Sequence, residues 1–144
     1  MENCLQRSVW IWGDSLMKRM SLIDAYKIAT MYDDISELSE DDLTEYIDAL
    51  QYLIDNDPYC PGAWILDLGS AYDSIEKYEL AVKYYSIGID KGEMAGYIGL
   101  GNTYRHIHEY AKAYDCYKKA LDVGYPKARK LISRLKEETG YGFN

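Results

Sequence analysis

A chain of 144 residues with 48% apolar and 28% charged residues has the size and composition of one ordinary soluble globular domain. The formal net charge of −8 argues against nucleic acid as the main ligand, because duplex binding depends on neutralising phosphates, and it favours a partner with a basic surface. No stretch approaches the roughly 18 consecutive apolar residues that suggest a membrane span.

The three cysteines, Cys4, Cys60 and Cys116, are far apart and show no C-x-x-C spacing. An odd number of scattered cysteines predicts reduced thiols. The N-terminus has no basic segment followed by a long apolar run, so a secretory signal is not expected. The predicted location is cytoplasmic.

Residues 1–20 are predicted to form an N-terminal arm or lid. Trp10 and Trp12 alternate as they would in a strand, but no second strand-like run is apparent to pair with them. The apolar residues that follow favour a helix, either separate or continuous with the next one: Leu16, Met17 and Met20. The segment either caps the first hairpin as a packed lid or serves as an exposed docking arm through its two tryptophans.

Residues 21–59 carry start and stop signals for two helices. Ser21 and Ser39 are each followed three residues later by an aspartate, which is the spacing of a capping box. The loop between the helices is predicted at Asp33–Glu40. The second helix should end at Asn56-Asp57-Pro58, because a residue that precedes proline is disfavoured in the helical region.

Residues 62–92 and 94–124 repeat one pattern 32 positions apart with no insertion. Apolar and small residues recur at i, i+3, i+4 and i+7, which predicts a helical hairpin in each copy, and a glycine ends each one. Gly69 and Gly101 are expected where the two helices of a hairpin cross closely. The residues that match between the two copies are Leu68, Gly69, Tyr72, Ala81 and Tyr85 in the first copy and Leu100, Gly101, Tyr104, Ala113 and Tyr117 in the second.

Residues 126–138 are predicted as a terminal capping helix that opens at Pro126. A weaker copy of the repeat, with Ile28-Ala29-x-x-Tyr32 in the Leu-Gly-x-x-Tyr frame, makes residues 21–59 a third hairpin. The predicted fold is therefore all-α, a right-handed stack of about three helix-turn-helix repeats with a C-terminal capping helix. Residues 139–144 are predicted as a tail.

On these motifs the chain resembles the tetratricopeptide-repeat superfamily. The endings Gly88-Ile89-Asp90-Lys91-Gly92 and Ala120-Leu121-Asp122-Val123-Gly124 are similar to the related Sel-one-like class. The chain departs from the family pattern in its period of 32, where roughly 34 is usual, and in having glycine at position 88 in place of alanine.

The resemblance implies a non-enzymatic protein–protein interaction module, an adaptor, regulator or inhibitor, that holds a peptide or partner helix in a concave groove. The groove is implied to be acidic at its N-terminal end and basic at its C-terminal end. The alternative is that these residues are simply solvated helix faces. The implied groove residues are Ile23, Tyr26, Thr30, Asp33, Ala63, Leu66, Ser70, Asp73, Ala95, Ile98, Asn102, Arg105, His106, Lys127, Lys130 and Arg134.

Family members that hold the carboxylate tails of chaperones use paired lysines and asparagines at set groove positions. Asn102 and Lys127 are compatible with such a clamp. Ile98, Gly99 and Leu131 stand where polar or cationic residues are expected. The sequence therefore argues against a chaperone-tail clamp.

No catalytic, metal or cofactor site is predicted. His106 and His108 are two residues apart, and such residues point to different faces of a helix. The basic residues of 118–136 could contact RNA or anionic lipid, but the net charge disfavours this. The remaining alternatives are a self-assembling structural protein or homodimer and, with less support, an enzyme or an RNA-binding repeat protein.

Overall fold

The computed structural model describes residues 8–13, 16–32, 34–140 and 142, with side chains described from Met20 onward. The chain divides into two compact units, Met1–Trp64 and Ile65–Asn144. Each unit is described by itself below.

The first unit contains an antiparallel two-stranded sheet that the sequence analysis did not predict. Strand β1 (Ser8–Gly13) pairs with β2 (Leu16–Ser21), and Trp10 lies opposite Arg19 in the ladder. The helix expected at Leu16–Met20 is therefore wrong. Local propensity favoured a helix there, but pairing with β1 decides the conformation, and strand formation depends strongly on such partners.

The first unit continues as a helical hairpin. Helix α1 (Leu22–Met31) begins at a complete Ser21–Asp24 capping box, and α2 (Glu40–Asn56) begins where the Ser39 side chain accepts from the Asp42 backbone N–H at 3.2 Å. A 3₁₀ turn, Ile35–Glu37, lies in the loop between them. Both predicted capping signals are confirmed. One face of α2 is buried in the core: Leu43, Tyr46, Ile47, Ala49, Leu50, Tyr52 and Leu53.

The second unit contains two hairpins and a further helix. Helix α3 (Ala63–Ser74), which begins in the last two residues of the first unit, pairs with α4 (Tyr78–Asp90). Helices α5 (Gly96–His106) and α6 (Tyr110–Asp122) form the next hairpin, and α7 (Ala128–Thr139) packs on α6. The described residues thus hold seven α-helices, and the all-α helical-hairpin fold class is confirmed.

Left-handed residues mark the ends of these helices. Gly92, Gly124 and Gly140 follow α4, α6 and α7 with φ of 96°, 100° and 66°, a region that a glycine enters without steric cost. Glu76 and His108 adopt φ of 61° and 63° in the turns inside the two hairpins. They occupy the same position in the two copies of the repeat, so the repeat extends to an unusual backbone conformation in a non-glycine residue.

The predicted close crossing within each hairpin is confirmed. A Cβ built on Gly69 would lie 3.1 Å from the Tyr85 ring, and one on Gly101 would lie 2.5 Å from the Tyr117 ring. Gly99 provides a contact that the sequence analysis missed, because it lies on α5 against Tyr85 of the preceding hairpin, where an added Cβ would stand 2.2 Å from the ring. Two glycine-walled surfaces therefore enclose the Tyr85 ring.

Candidate functional site

Two of the implied groove residues in the first unit have contacts of their own. Tyr26 donates a short hydrogen bond to Asp57 and packs on Trp64 with ring centres 5.2 Å apart. The bond to Asp57 is the main cause that raises the Tyr26 pKa to about 12. The Thr30 hydroxyl bonds to the Tyr26 backbone carbonyl at 2.8 Å. Ile23 is exposed. Asp33 and the side chains of Trp10 and Trp12 lie outside the described residues.

In the second unit, a tyrosine from the second helix of each hairpin reaches a polar residue of the first helix. The Tyr117 hydroxyl donates to Asn102 Oδ1 at 2.7 Å. A side-chain hydrogen bond links Ser70 to Tyr85, and these two residues occupy the positions in their copy of the repeat that Asn102 and Tyr117 occupy in the next. Each ring passes the glycine at the crossing and brings its hydroxyl to the same place in its repeat.

Burial controls the ionisation of these tyrosines. Desolvation is the largest cause that raises the pKa of Tyr85 to about 12, and the hydrogen bond from Ser70 opposes it. Desolvation also raises the Tyr117 pKa, against an opposing effect from the neighbouring Arg105. Both phenols therefore stay neutral at physiological pH and keep their hydrogen bonds to the polar residues beside them.

Two polar side-chain contacts join α3, α5 and α7 of the second unit. His106 Nδ1 lies 3.0 Å from Asp73 on α3, and Arg105 Nη1 lies 3.3 Å from Glu138 on α7. Both pairs connect residues 33 positions apart, so the same offset recurs along the stack. The pairs place α3 beside α5 and α5 beside α7 on one side of the unit.

One helical turn before each of these contact residues lies another polar side chain: Ser70 before Asp73, Asn102 before Arg105, and Arg134 before Glu138. Positions three or four apart share a helix face, so these side chains lie on the same surface. We call this surface of α3, α5 and α7 the polar face. Its members are Ser70, Asp73, Asn102, Arg105, His106, Lys130 and Arg134.

One predicted groove residue belongs to the core and another is partly buried. Ile98 is 9% exposed and packs in the core with Tyr117 and Leu135, so its assignment to a partner-binding surface is wrong. Leu66 is partly buried over Gly88, where an added Cβ would stand 2.4 Å from Leu66 Cδ2. The next copy of the repeat has Ile98 and Ala120 at these two positions, so the space for the bulkier γ-branch of leucine explains the glycine at position 88.

The basic end of the implied groove is carried by α7 and the residue before it. Lys127, Lys130 and Arg134 are all exposed, and none of them makes an ion pair within the part of the chain that the structure describes. Their spacing places them along one stripe of the helix. Ala63 is exposed and Ala95 is half-buried.

The two histidines do not converge. His106 contacts Asp73, whereas His108 Nδ1 lies 2.7 Å from the Tyr110 hydroxyl. No group of three or more potential metal ligands occurs among the described residues. Burial raises the pKa of the Cys116 thiol to about 11, so this cysteine stays protonated. No described helix is long and apolar enough to cross a bilayer.

A surface concavity of ≈ 740 Å³ borders the polar face near His106, whose ring lies 6.1 Å from that of the lining residue Tyr78, and was not predicted. It forms where the turn between α3 and α4 meets Ile107, which is 37% exposed. Its other lining residues are Glu76, Lys77, Tyr78, Glu79, Leu80 and Val82. No periodic sequence signal marks it, because it depends on how two turns approach each other.

Comparison with solved structures defines the fold. The first TPR domain of Spaghetti (RPAP3), bound to the HSP90 peptide SRMEEVD, matches with a TM-score of 0.61 and 17% identity over 69% of this chain and 81% of that one. A D159K mutant of MamA matches with a TM-score of 0.53 and 18% identity over 81% of this chain and 72% of that one. No protein-family model and no curated protein sequence matches the chain.

The fold is therefore that of the tetratricopeptide-like helical-hairpin repeats, as the sequence motifs predicted. Such a fold presents surfaces built from successive helices.

Proposed function

We propose that the polar face binds a segment of a partner polypeptide, and that the protein acts as a non-enzymatic adaptor, regulator or inhibitor. The observation that carries this proposal is the repeated anchoring of polar side chains by buried tyrosines, Ser70 by Tyr85 and Asn102 by Tyr117. Polar side chains on a surface that is only solvated are hydrogen-bonded by water and are not usually held in place by a buried tyrosine. Anchored groups lose less conformational entropy when a ligand binds.

The chemistry of the face indicates a partner segment with acidic residues near α7. Because Asn102 Oδ1 accepts the tyrosine hydroxyl, its Nδ2 is left as the donating end, which suits a peptide carbonyl. Lys130 and Arg134 add positive charge one repeat further along. The Spaghetti domain that shares the fold is bound to a peptide that contains two glutamates and an aspartate, which supports this class of ligand.

The test is a selection of random peptides of about twelve residues on the wild-type protein, followed by fluorescence anisotropy with the enriched peptides and with labelled SRMEEVD. We expect Asn102→Ala/Lys130→Glu/Arg134→Glu to weaken binding of the enriched peptides at least about tenfold. The Lys27→Glu/Lys83→Glu control makes the same change in net charge at exposed positions of α1 and α4 and should bind as wild type does. Equal losses in both variants would show a net-charge effect and remove the assignment to the polar face.

We also place the protein in a reducing compartment such as the cytoplasm. Cys116 has a buried core position in which its thiol stays protonated, and the cysteines are scattered with no C-x-x-C spacing, which supports this placement.

A further inference from the structure

A second basic stripe lies on α7, separate from the polar face. The chain carries eight Lys and Arg residues and only two acidic residues between Tyr110 and Lys136, against a net charge of −8 for the whole protein. Arg129 and Lys136 are both exposed and stand seven residues apart. Lys136 Nζ lies 5.9 Å from the Tyr114 ring centre, so the stripe borders α6.

Acidic residues are frequent in the segment that contains α2, and six of them lie on that helix. Thirteen acidic residues and no Lys or Arg occur between Lys27 and Lys77. On α2, Asp41, Asp48 and Asp55 repeat every seven residues on one face, while the leucines of the other face are buried. Asp48 is partly buried, and burial is the main cause that raises the pKa of its carboxyl, with a smaller effect from Glu45.

We propose that α7 of one copy docks on α2 of a second copy through these two stripes. Seven residues correspond to about 10 Å along a helix, so the cations at 129 and 136 match the spacing of the carboxylates at 48 and 55. Exposed ion pairs are weak and screened by salt, so the association is weak, reversible and salt-sensitive.

The test is the mass of the full chain by sedimentation velocity over a concentration series in about 20 mM and about 500 mM NaCl. Wild type should associate in low salt and dissociate in high salt. Arg129→Glu/Lys136→Glu and Asp48→Lys/Asp55→Lys should each remain monomeric when tested separately, because both stripes of each variant then carry the same sign. A mixture of the two variants should associate again, because each reversed stripe meets its opposite. Circular dichroism checks that each variant keeps its helices.

A charge-matched control variant and a binding experiment with poly-glutamate complete the test. Lys27→Glu/Lys83→Glu, which matches the charge change of the α7 variant outside both stripes, should associate as wild type does. A wild type that stays monomeric in low salt, or variants that fail to restore association when mixed, would overturn the proposal. Binding of poly-glutamate to a monomeric wild type through Arg129 and Lys136 would replace the second copy with an acidic partner. The variants that test association leave Asn102, Lys130 and Arg134 unchanged, so either proposal can fail without the other.

Discussion

Gly69 and Gly101 occupy the same place in their hairpins, yet the neighbouring tyrosine leaves them different amounts of room. A Cβ on Gly69 would meet the Tyr85 ring at 3.1 Å, which a small shift of the ring relieves, whereas a Cβ on Gly101 would meet the Tyr117 ring at 2.5 Å. Tyr117 is fully buried and hydrogen-bonded, so its ring has little freedom to move.

Gly101→Ala should therefore destabilise the protein by about 1–3 kcal/mol through overpacking, even after the helix-propensity gain of up to about 1 kcal/mol. Gly69→Ala should lie close to zero, because the milder contact and the propensity gain offset each other. Urea denaturation followed by circular dichroism measures both free energies of unfolding. Equal effects at the two positions would show that ring distance does not control the cost.

At this scale, sequence reasoning succeeded where a signal is local. The Ser21–Asp24 capping box and the crossing glycines follow from spacing within a few residues. The Leu66–Gly88 contact and the burial of Ile98 did not follow from it. Both depend on which residues of another helix face them, and helical periodicity does not specify the rotation of a helix against its neighbour.

At the scale of elements, the turn inside each hairpin of the second unit contains a strained backbone conformation. Glu76 and His108 both adopt the left-handed conformation that costs a residue with a Cβ roughly 1–2 kcal/mol. The backbone bond from Lys77 N–H to the Tyr72 carbonyl, at 2.9 Å, closes the first of these turns. The hydrogen bond keeps the chain in this conformation despite its steric cost.

Glu76→Gly should raise the free energy of unfolding by about 0.5–1 kcal/mol, because relief of the backbone strain exceeds the entropy that glycine adds to the unfolded chain. Glu76→Ala retains a Cβ and serves as the control, with no gain expected. Thermal and urea unfolding of both variants give the comparison. A Glu76→Gly variant less stable than Glu76→Ala would show that the turn carries no relievable strain.

The ends of the hairpins in the two clear repeats were predictable because the glycine stops and the period of the repeat agree with one another. Strand β2 was not predictable from the sequence. Leu16–Ser21 becomes a strand through its pairing with β1 and has no strong strand pattern of its own.

Over the whole molecule, the buried phenols whose pKa is raised, Tyr85 above all, make the stability of the protein sensitive to alkali. The Tyr85 pKa is about 12 in the folded protein against an ordinary value of 10.0, so the unfolded chain releases this proton first. Between pH 10 and 12 the folded state then binds more protons than the unfolded state, and stability falls as the pH rises. Below pH 10 this contribution is fully present.

Tyr85→Phe should therefore flatten the decline in stability between pH 10 and 12, by at most about 1.4 kcal/mol for each unit of pH. Tyr59→Phe is the matched control, because Tyr59 is 90% exposed. Urea unfolding at a series of pH values checks the slopes. Identical slopes for wild type and Tyr85→Phe would show that this phenol does not titrate in the expected window.

The proposed site was only partly accessible from the sequence. The family resemblance named Asn102, Arg105 and His106 as groove residues, but it did not predict their contacts with Tyr117, Glu138 and Asp73. Those partners come from other helices, so their contact depends on the packed unit. The offset of 33 residues that the Asp73–His106 and Arg105–Glu138 contacts share becomes meaningful only when the helices are stacked.

Gly99 also bears on how a repetitive chain avoids misassembly. Similar hairpins can in principle stack in the wrong order or exchange between molecules during folding. Tyr85 leaves no room for a Cβ at the facing position of α5, and the equivalent position of α7, one repeat later, is Leu131. A chain that skipped a hairpin and placed α7 against α4 would force the Leu131 side chain into the Tyr85 ring. The absence of a side chain at Gly99 therefore favours stacking of α5, and not α7, against α4.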